Sequence, residues 1–345
     1  MARNDNLNKA KATKMDEFYT ERVDIENELP HYAEHFRGKV VFCNADDPEE
    51  SEFWKFFVRN FKAYGLKKLI ATHYEPNEKN FAYTLEICED TNGDGKLDWR
   101  DKPTITQIPC NGDFRSAYCV ELLKKSDIVV SNPPFSLFKE YFSQLIKYDK
   151  KFLIIGPMGA ITYKEVFPHI KEDKVWIGYT NPKVFRVPDG TVGNSIFVKD
   201  GITYQKFGNI QWYTNLDTPK HHRTLDLRGN YYSPDKYPKY ANFDGIEVKN
   251  ISDIPCDYEG AIGLPVSFLR DFNARQFELL GTSLELAIPM RCIYKKGTFS
   301  PGGNRFYSYE LTASDLANGY MYHRCYDRIA VKLRNPEPRR DENED

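Results

Sequence analysis

The chain has 345 residues, 41% of them hydrophobic and 14% aromatic, with a formal net charge of −2 at pH 7. That is apolar material for one large or two ordinary domains, and the near-neutral charge excludes bulk basicity as a route to nucleic acid. No apolar run approaches the roughly 18 residues a membrane span needs, the polar start from Met1 to Lys14 is no secretory signal, and seven cysteines without a C-x-x-C pair fit a reducing cytoplasm and speak against a metal site.

Taken in order, Lys39–Cys43 is a short β-branched run that predicts a buried strand. Asp47, Pro48 and Glu50 then stand as N-cap, first helical residue and capping-box residue. They precede a helix whose apolar face is Phe53, Phe56, Phe57 and Phe61 and which Gly65 closes. Leu69–Thr72 is the next strand, ending at Glu75. Residues 76–104 interrupt the pattern with a polar insertion rich in Gly, Asp and Asn. After a turn at Asn111–Gly112 it resumes: a helix from Ser116 to Lys124, a strand over Asp127–Val130, a helix over Phe138–Lys147 and a strand over Phe152–Ile155.

Such alternation predicts an α/β fold with a doubly wound, mostly parallel, Rossmann-like sheet, with ligands at the carboxyl ends of its strands. The alternation fades after about Thr214. We place a boundary near Asp217, giving a first domain over 1–216 and a second region over 217–345. The second contains the short strand Arg328–Lys332. Between Arg291 and Arg340 there are ten Lys or Arg and four acids, which marks Arg324, Arg328 and Lys332 as candidate phosphate contacts. Lys9, Lys11 and Lys14 form a smaller basic patch.

The chemistry-bearing motif is Asn132, Pro133, Pro134 and Phe135, directly after the apolar strand Ile128–Val130. Two consecutive prolines fix φ and offer no N–H, so the backbone is held with its carbonyls directed to accept. The side-chain carbonyl of Asn132 beside a prolyl carbonyl makes two acceptors of fixed separation, which a planar amine with two hydrogens requires. Accepting both hydrogens draws the amine nitrogen towards a tetrahedral shape and localises its lone pair towards an incoming methyl group. Phe135 supplies a face on which an extruded base stacks. The same residues also describe a turn that ends a strand, and their place in an α/β pattern favours the chemistry. The logic serves any planar NH₂: adenine N6, cytosine N4, an RNA base or a protein glutamine amide.

In chain order, Asp16–Thr20, Val40–Pro48, Gly112–Arg115, Asn132–Phe135, Trp212–Leu216, Gly263–Phe268 and Gln276–Phe277 resemble the gamma-ordered amino-methyltransferases. Within them the chain is similar to the EcoRI-type adenine modification methylases over almost its whole length. The resemblance implies S-adenosylmethionine as methyl donor, double-stranded DNA as substrate and a C-terminal target-recognition region. It further implies a cytoplasmic monomer and, as functional counterpart, a restriction endonuclease that is not physically bound. On this view Asp113 accepts from the adenine amine of the donor, Phe114 stacks nearby, and Glu75 takes the ribose hydroxyls. Asp46 or Asp47 pairs with the methionine ammonium, Asp47 reading also as a cap, and Asn44 belongs to the same cofactor-binding set. Phe18, Tyr19 and Thr20 close over the methionine end, where aromatic faces suit a sulfonium. The first loop departs from the usual pattern in lacking Gly-x-Gly.

Asp90 to Asp101 also fits a Ca²⁺ loop, with oxygen ligands at positions 1, 3, 5, 9 and 12 and Gly95 at position 6. Asp in place of Glu at position 12, and Lys102 after it, favour a polar surface loop built from Asx and Gly turns. A binding module centred on that loop, without catalysis, is the competing class, and the intact Asn132–Phe135 motif argues against it. His221 and His222 read as a solvated pair or a phosphate contact, and no metal site is expected.

Overall fold

A computed structural model describes residues 19–45, 47–76, 81–88, 103–191, 195–293, 299–303 and 305–338. Phe18, Asp46, the N-terminal lysines and the whole Asp90–Asp101 loop lie outside the described residues. The chain divides into two compact units, Met1–Ile170 with Lys174–Thr218, and Lys171–Asp173 with Pro219–Asp345.

The first unit opens with β1 (Tyr19–Thr20), α1 (Arg22–Glu28) and, past a 3₁₀ turn, α2 (Ala33–Phe36). Four residues suited to a pleated, buried surface form β2 (Val40–Cys43), and α3 (Glu52–Asn60) follows. Ser51 starts that helix: its Oγ accepts from the backbone N–H of Phe53 at 3.2 Å and of Trp54 at 3.4 Å. This corrects the expected start at Asp47. Asp47 instead closes the preceding turn, taking the Glu49 N–H on Oδ1 at 3.0 Å and the Ser51 N–H on its carbonyl at 2.6 Å. Ser51 prevails because it directly precedes the apolar stripe that the sheet buries. At the far end Gly65 adopts φ +60, which closes the segment in the left-handed region.

The chain continues through β3 (Lys68–Thr72), β4 (Tyr83–Ile87), β5 (Thr104–Gln107), α4 (Ala117–Lys125), β6 (Ile128–Ser131), α5 (Phe138–Lys147) and β7 (Lys151–Pro157). Then come β8 (Trp176–Ile177), β9 (Val184–Arg186), β10 (Ile196–Lys199), β11 (Ile202–Lys206) and β12 (Ile210–Thr214). Eight strands form one sheet in the order β5-β4-β3-β2-β6-β7-β12-β8. β3, β2, β6 and β7 run parallel to one another. The four remaining pairings, two at each edge, are antiparallel. The sheet is therefore mixed, which corrects the mostly parallel sheet read from the sequence. Strand β4, between β3 and the outermost strand β5, lies inside the stretch taken as a polar insertion. It returns antiparallel to β3 after ten intervening residues, a length an antiparallel pairing allows and a parallel crossover does not.

Both faces of the central strands are buried. On one face Val41, Cys43, Leu69, Ala71, Val130 and Leu153 join a cluster with Ile25, Leu29, Phe36, Phe53 and Phe57 from α1, the turn after it, α2 and α3. The alternate residues Phe42, Ile70, Val129, Phe152 and Ile154 are buried as well. On that side Phe142 of α5 meets Phe152 edge-on at 5.7 Å and Phe138 meets Tyr213 at 5.2 Å. Each such side chain is worth about 1.5–3 kcal/mol when fully buried, so a one-residue slip of a central strand is heavily disfavoured. A second, four-stranded sheet, β1-β9-β11-β10, holds the start of the described chain.

The second unit is built on β13 (Gly245–Glu247), β14 (Ala261–Pro265) and β15 (Phe277–Thr282). It adds the antiparallel pairs β16 (Met290–Ile293) with β17 (Phe299–Gly303) and β18 (Tyr307–Ser308) with β19 (His323–Arg324), and ends on β20 (Arg328–Leu333). Its main sheet runs β13-β14-β20-β15, parallel at β13–β14 and antiparallel elsewhere. Phe243 stacks on Phe306 at 4.3 Å beside Tyr240. Among the described residues no helix is long and apolar enough to cross a membrane.

Candidate active site

At the carboxyl ends of β2, β3 and β6 the first unit holds a cavity of about 210 Å³. Asn44 enters it after β2, Tyr74 after β3, and Asn132 and Pro133 after β6, with Asp113 and Phe114 closing another wall. Parallel strands bring these residues together because each turns away from the sheet at the same edge.

Asp113 is set by its neighbours. Gly112 has φ +80, and a Cβ there would lie 2.1 Å from the carbonyl oxygen of His73. Only glycine lets the two backbones approach so closely. The Arg115 guanidinium then grips the Asp113 carboxylate twice, Nε to Oδ1 at 2.9 Å and Nη2 to Oδ2 at 2.6 Å. The Arg115 backbone N–H adds a third bond at 2.8 Å. That guanidinium holds the Asp113 carboxyl below the usual carboxylate range. A carboxylate has about four acceptor positions, so capacity remains for a ligand. Phe114 is buried edge-on against Tyr141 at 5.1 Å.

Asn132 is buried, and its Nδ2 donates to Thr20 Oγ1 at 3.2 Å. Just before it, Ser131 Oγ accepts from the Ala45 N–H at 3.2 Å, joining the loops after β6 and β2. Pro133 and Pro134 line the cavity. Phe135 does not: it is half-buried against the core cluster that includes α1 to α3. Across the cavity, Tyr141 O–H donates to Asn44 Oδ1. The Asn44 Nδ2, also buried, has no hydrogen-bond partner among the described residues.

Of the other residues singled out in the sequence, Tyr19 lines the cavity, and the Arg186 guanidinium lies over its ring, 4.7 Å from the ring centre. Glu75 is not part of the wall, and Tyr74 occupies that place. The Glu75 backbone N–H is tied to the Asn111 carbonyl at 2.9 Å, which anchors the turn before Asp113. Asp47 reaches the cavity with its Oδ2 3.0 Å from His73 Nδ1.

In the second unit Arg324 and Lys332 are exposed. Arg328 is not: its side chain is 13% exposed and lies 3.3 Å from Oε1 of Glu247, itself 2% exposed. Along β20 it faces the same side as buried Ala330, while Lys332 lies beyond on the exposed rim, so an internal ion pair replaces the phosphate contact read from the sequence. His221 is likewise held, its Nε2 2.8 Å from Asp173 Oδ1.

Sequence reasoning missed Arg115, Ser131 and Tyr141. Arg115 had a local signal, two residues after an aspartate whose loop it caps. Tyr141 had a weaker one, the buried face of the helix that follows the motif.

The chain matches the family model described as adenine-specific methyltransferase EcoRI over residues 6–333. It is 47% identical over 293 residues to the Type II methyltransferase M.EcoRI of Escherichia coli, covering 81% of this chain and 89% of that protein. It is 39% identical over 285 residues to the Type II methyltransferase M.MpnI of Mycoplasma pneumoniae, covering 79% and 84%. With the Type II methyltransferase M.MgeORF184P of Mycoplasma genitalium it shares 37% over 283 residues, covering 79% and 85%. No solved structure matches the chain significantly.

Proposed function

Because the chain belongs to the EcoRI-type family of adenine-specific methyltransferases, we propose that it methylates N6 of an adenine swung out of double-stranded DNA, with S-adenosylmethionine as donor, in a restriction–modification system. The observation that carries this is the sharing of one cavity by Asn132, Pro133, Asp113 and Phe114. Amine acceptors and a nucleoside-binding wall stand within reach of each other.

The residues present fit the donor. Its adenine and ribose need an acceptor and an aromatic surface, which Asp113 and Phe114 provide. The carboxylate of its methionine end needs a hydrogen-bond donor, and the buried Asn44 Nδ2, with no partner among the described residues, is one. Tyr19 offers a ring towards the sulfonium. The donor supplies an electrophilic methyl group. The chain's own part is to make the N6 nitrogen attack it: Asn132 Oδ1 and the Pro133 carbonyl accept the two N6 hydrogens, localise the lone pair and stabilise the positive charge that grows on the nitrogen. Phe135, at the core edge and at the end of the motif, is the ring assigned to stack on the base.

In this reading the four parallel strands are the heart of a Rossmann-like methyltransferase sheet with antiparallel edges added. The second unit is the target-recognition region, with Arg324 and Lys332 on phosphates, and the enzyme acts as a cytoplasmic monomer. Sequencing DNA from an expressing host for N6-methyladenine tests reaction and target site together. Asn132→Ala is expected to abolish transfer while affinity for S-adenosylhomocysteine persists, as for an interaction made chiefly in the transition state. Wild-type turnover in that variant would show the motif to be structural only.

A further inference from the structure

An asparagine amide has two ends of nearly equal size. Rotation about its terminal torsion exchanges acceptor for donor, and that torsion is broad and roughly two-fold. The prolines after Asn132 fix the backbone and leave this torsion undetermined. For an amine substrate the difference is decisive, because the NH₂ end presented to another NH₂ offers no acceptor.

The structure shows one of the two arrangements, with the Nδ2 end held. Thr20, 112 positions away, is 5% exposed and Asn132 is 9% exposed. The Thr20 hydroxyl oxygen accepts from Asn132 Nδ2 at 3.2 Å, which leaves Oδ1 as the opposite end. Thr20 is itself rigidly held. It pairs with the fully buried Phe185 in the β1–β9 ladder, and the next rung, Tyr19 with Arg186, is reinforced by the guanidinium over the tyrosine ring. Arg186 is in turn ion-paired to Glu50. β-Branching restricts the threonine side chain as well. Thr20 does not line the cavity, although Tyr19 beside it does.

We infer that Thr20 is a positioning residue for methyl transfer: its hydroxyl holds the Asn132 amide with the carbonyl end towards the target amine. This rests on the reading of Asn132 as an amine acceptor and replaces the direct donor contact expected of Thr20 from the sequence.

The test compares Thr20→Val, which keeps the shape and removes the hydroxyl, with Thr20→Ser, which keeps the hydroxyl. Single-turnover methyl transfer is measured at saturating donor and DNA, and S-adenosylhomocysteine affinity by calorimetry. The valine variant is expected to lose about ten- to a hundredfold in rate, the scale for a misplaced reacting group, with S-adenosylhomocysteine affinity unchanged. The serine variant should recover most of that loss. Thr20→Ala, run alongside, carries the same expectation should the valine not fold. Three outcomes overturn the inference: a valine rate equal to wild type, a loss of S-adenosylhomocysteine affinity in step with the rate, or a serine variant no better than valine. Asn132→Ala separates the two levels. If it is inactive while Thr20→Val is normal, only the role of Thr20 fails; if it turns over normally, the reading of Asn132 fails first.

Discussion

Asp113 faces the cavity with its carboxylate already gripped by Arg115. This fixes its orientation and keeps it charged. Asp113→Ala is expected to weaken S-adenosylhomocysteine binding by about 1.5–3 kcal/mol, the scale of a hydrogen bond to a charged group; unchanged affinity in calorimetry rules the contact out. The pH dependence follows from the direction of the shift. A carboxyl whose folded value is depressed contributes fully above its ordinary value and loses that contribution only as pH falls through the depressed one. Affinity should thus stay level on acidification to about pH 5 and fall only below the usual range of about 4. In Arg115→Ala the carboxyl returns towards its ordinary value, so the fall should begin at higher pH. At this scale Asn44 and Asn132 lie at the cavity because they follow β2 and β6, which local pattern finds, whereas Asp113 and Phe114, which line it too, were singled out by the resemblance. The bonds from Thr20 to Asn132 and from Tyr141 to Asn44 were not legible, since they join residues 112 and 97 positions apart.

Elements show the same division between local and tertiary causes. The helix Phe138–Lys147 was legible to its ends because its apolar stripe and flanking residues agree. α3 began later than expected because two residues compete to cap it, and burial of the stripe decides between Asp47 and Ser51. β4 was missed because five residues inside a polar stretch make a strand only when β3 offers an edge. Arg328 was misplaced for a related reason: charge is visible in a sequence, but the face of β20 that carries it depends on Glu247, 81 positions away. Removing one partner of a buried ion pair leaves an uncompensated charge and costs about 3–5 kcal/mol. Arg328→Gln is expected at the lower end, about 3 kcal/mol in denaturant unfolding, since the pair is not fully enclosed. Lys332→Gln, on the exposed rim, should stay within about 0.5 kcal/mol of wild type. Equal stability of the two variants would remove the structural role assigned to Arg328.

The whole molecule carries 48 basic and 50 acidic side chains, so any hold on DNA depends on where charge stands and not on its sum. Swinging an adenine out of the duplex costs a few kcal/mol of unpairing and unstacking, and contacts to the phosphates must keep the duplex in place meanwhile. Two of the three cations singled out in the second unit are free to do so by exposure: Arg324 on β19 and Lys332 on β20. Each phosphate neutralised contributes about 0.9 to the slope of log affinity against log salt. Changing Arg324 and Lys332 together to Gln should therefore flatten that slope by about one to two units. Because backbone contacts carry no sequence information, specific and non-specific DNA should weaken alike. S-Adenosylhomocysteine affinity should not move, since the cavity proposed for it is lined wholly by the first unit. A fluorescence-anisotropy titration across a salt series reads all of this for DNA. An unchanged slope in the double variant would move the phosphate-binding surface elsewhere, and the cluster Lys9, Lys11 and Lys14 is the next to be tested by the same substitution.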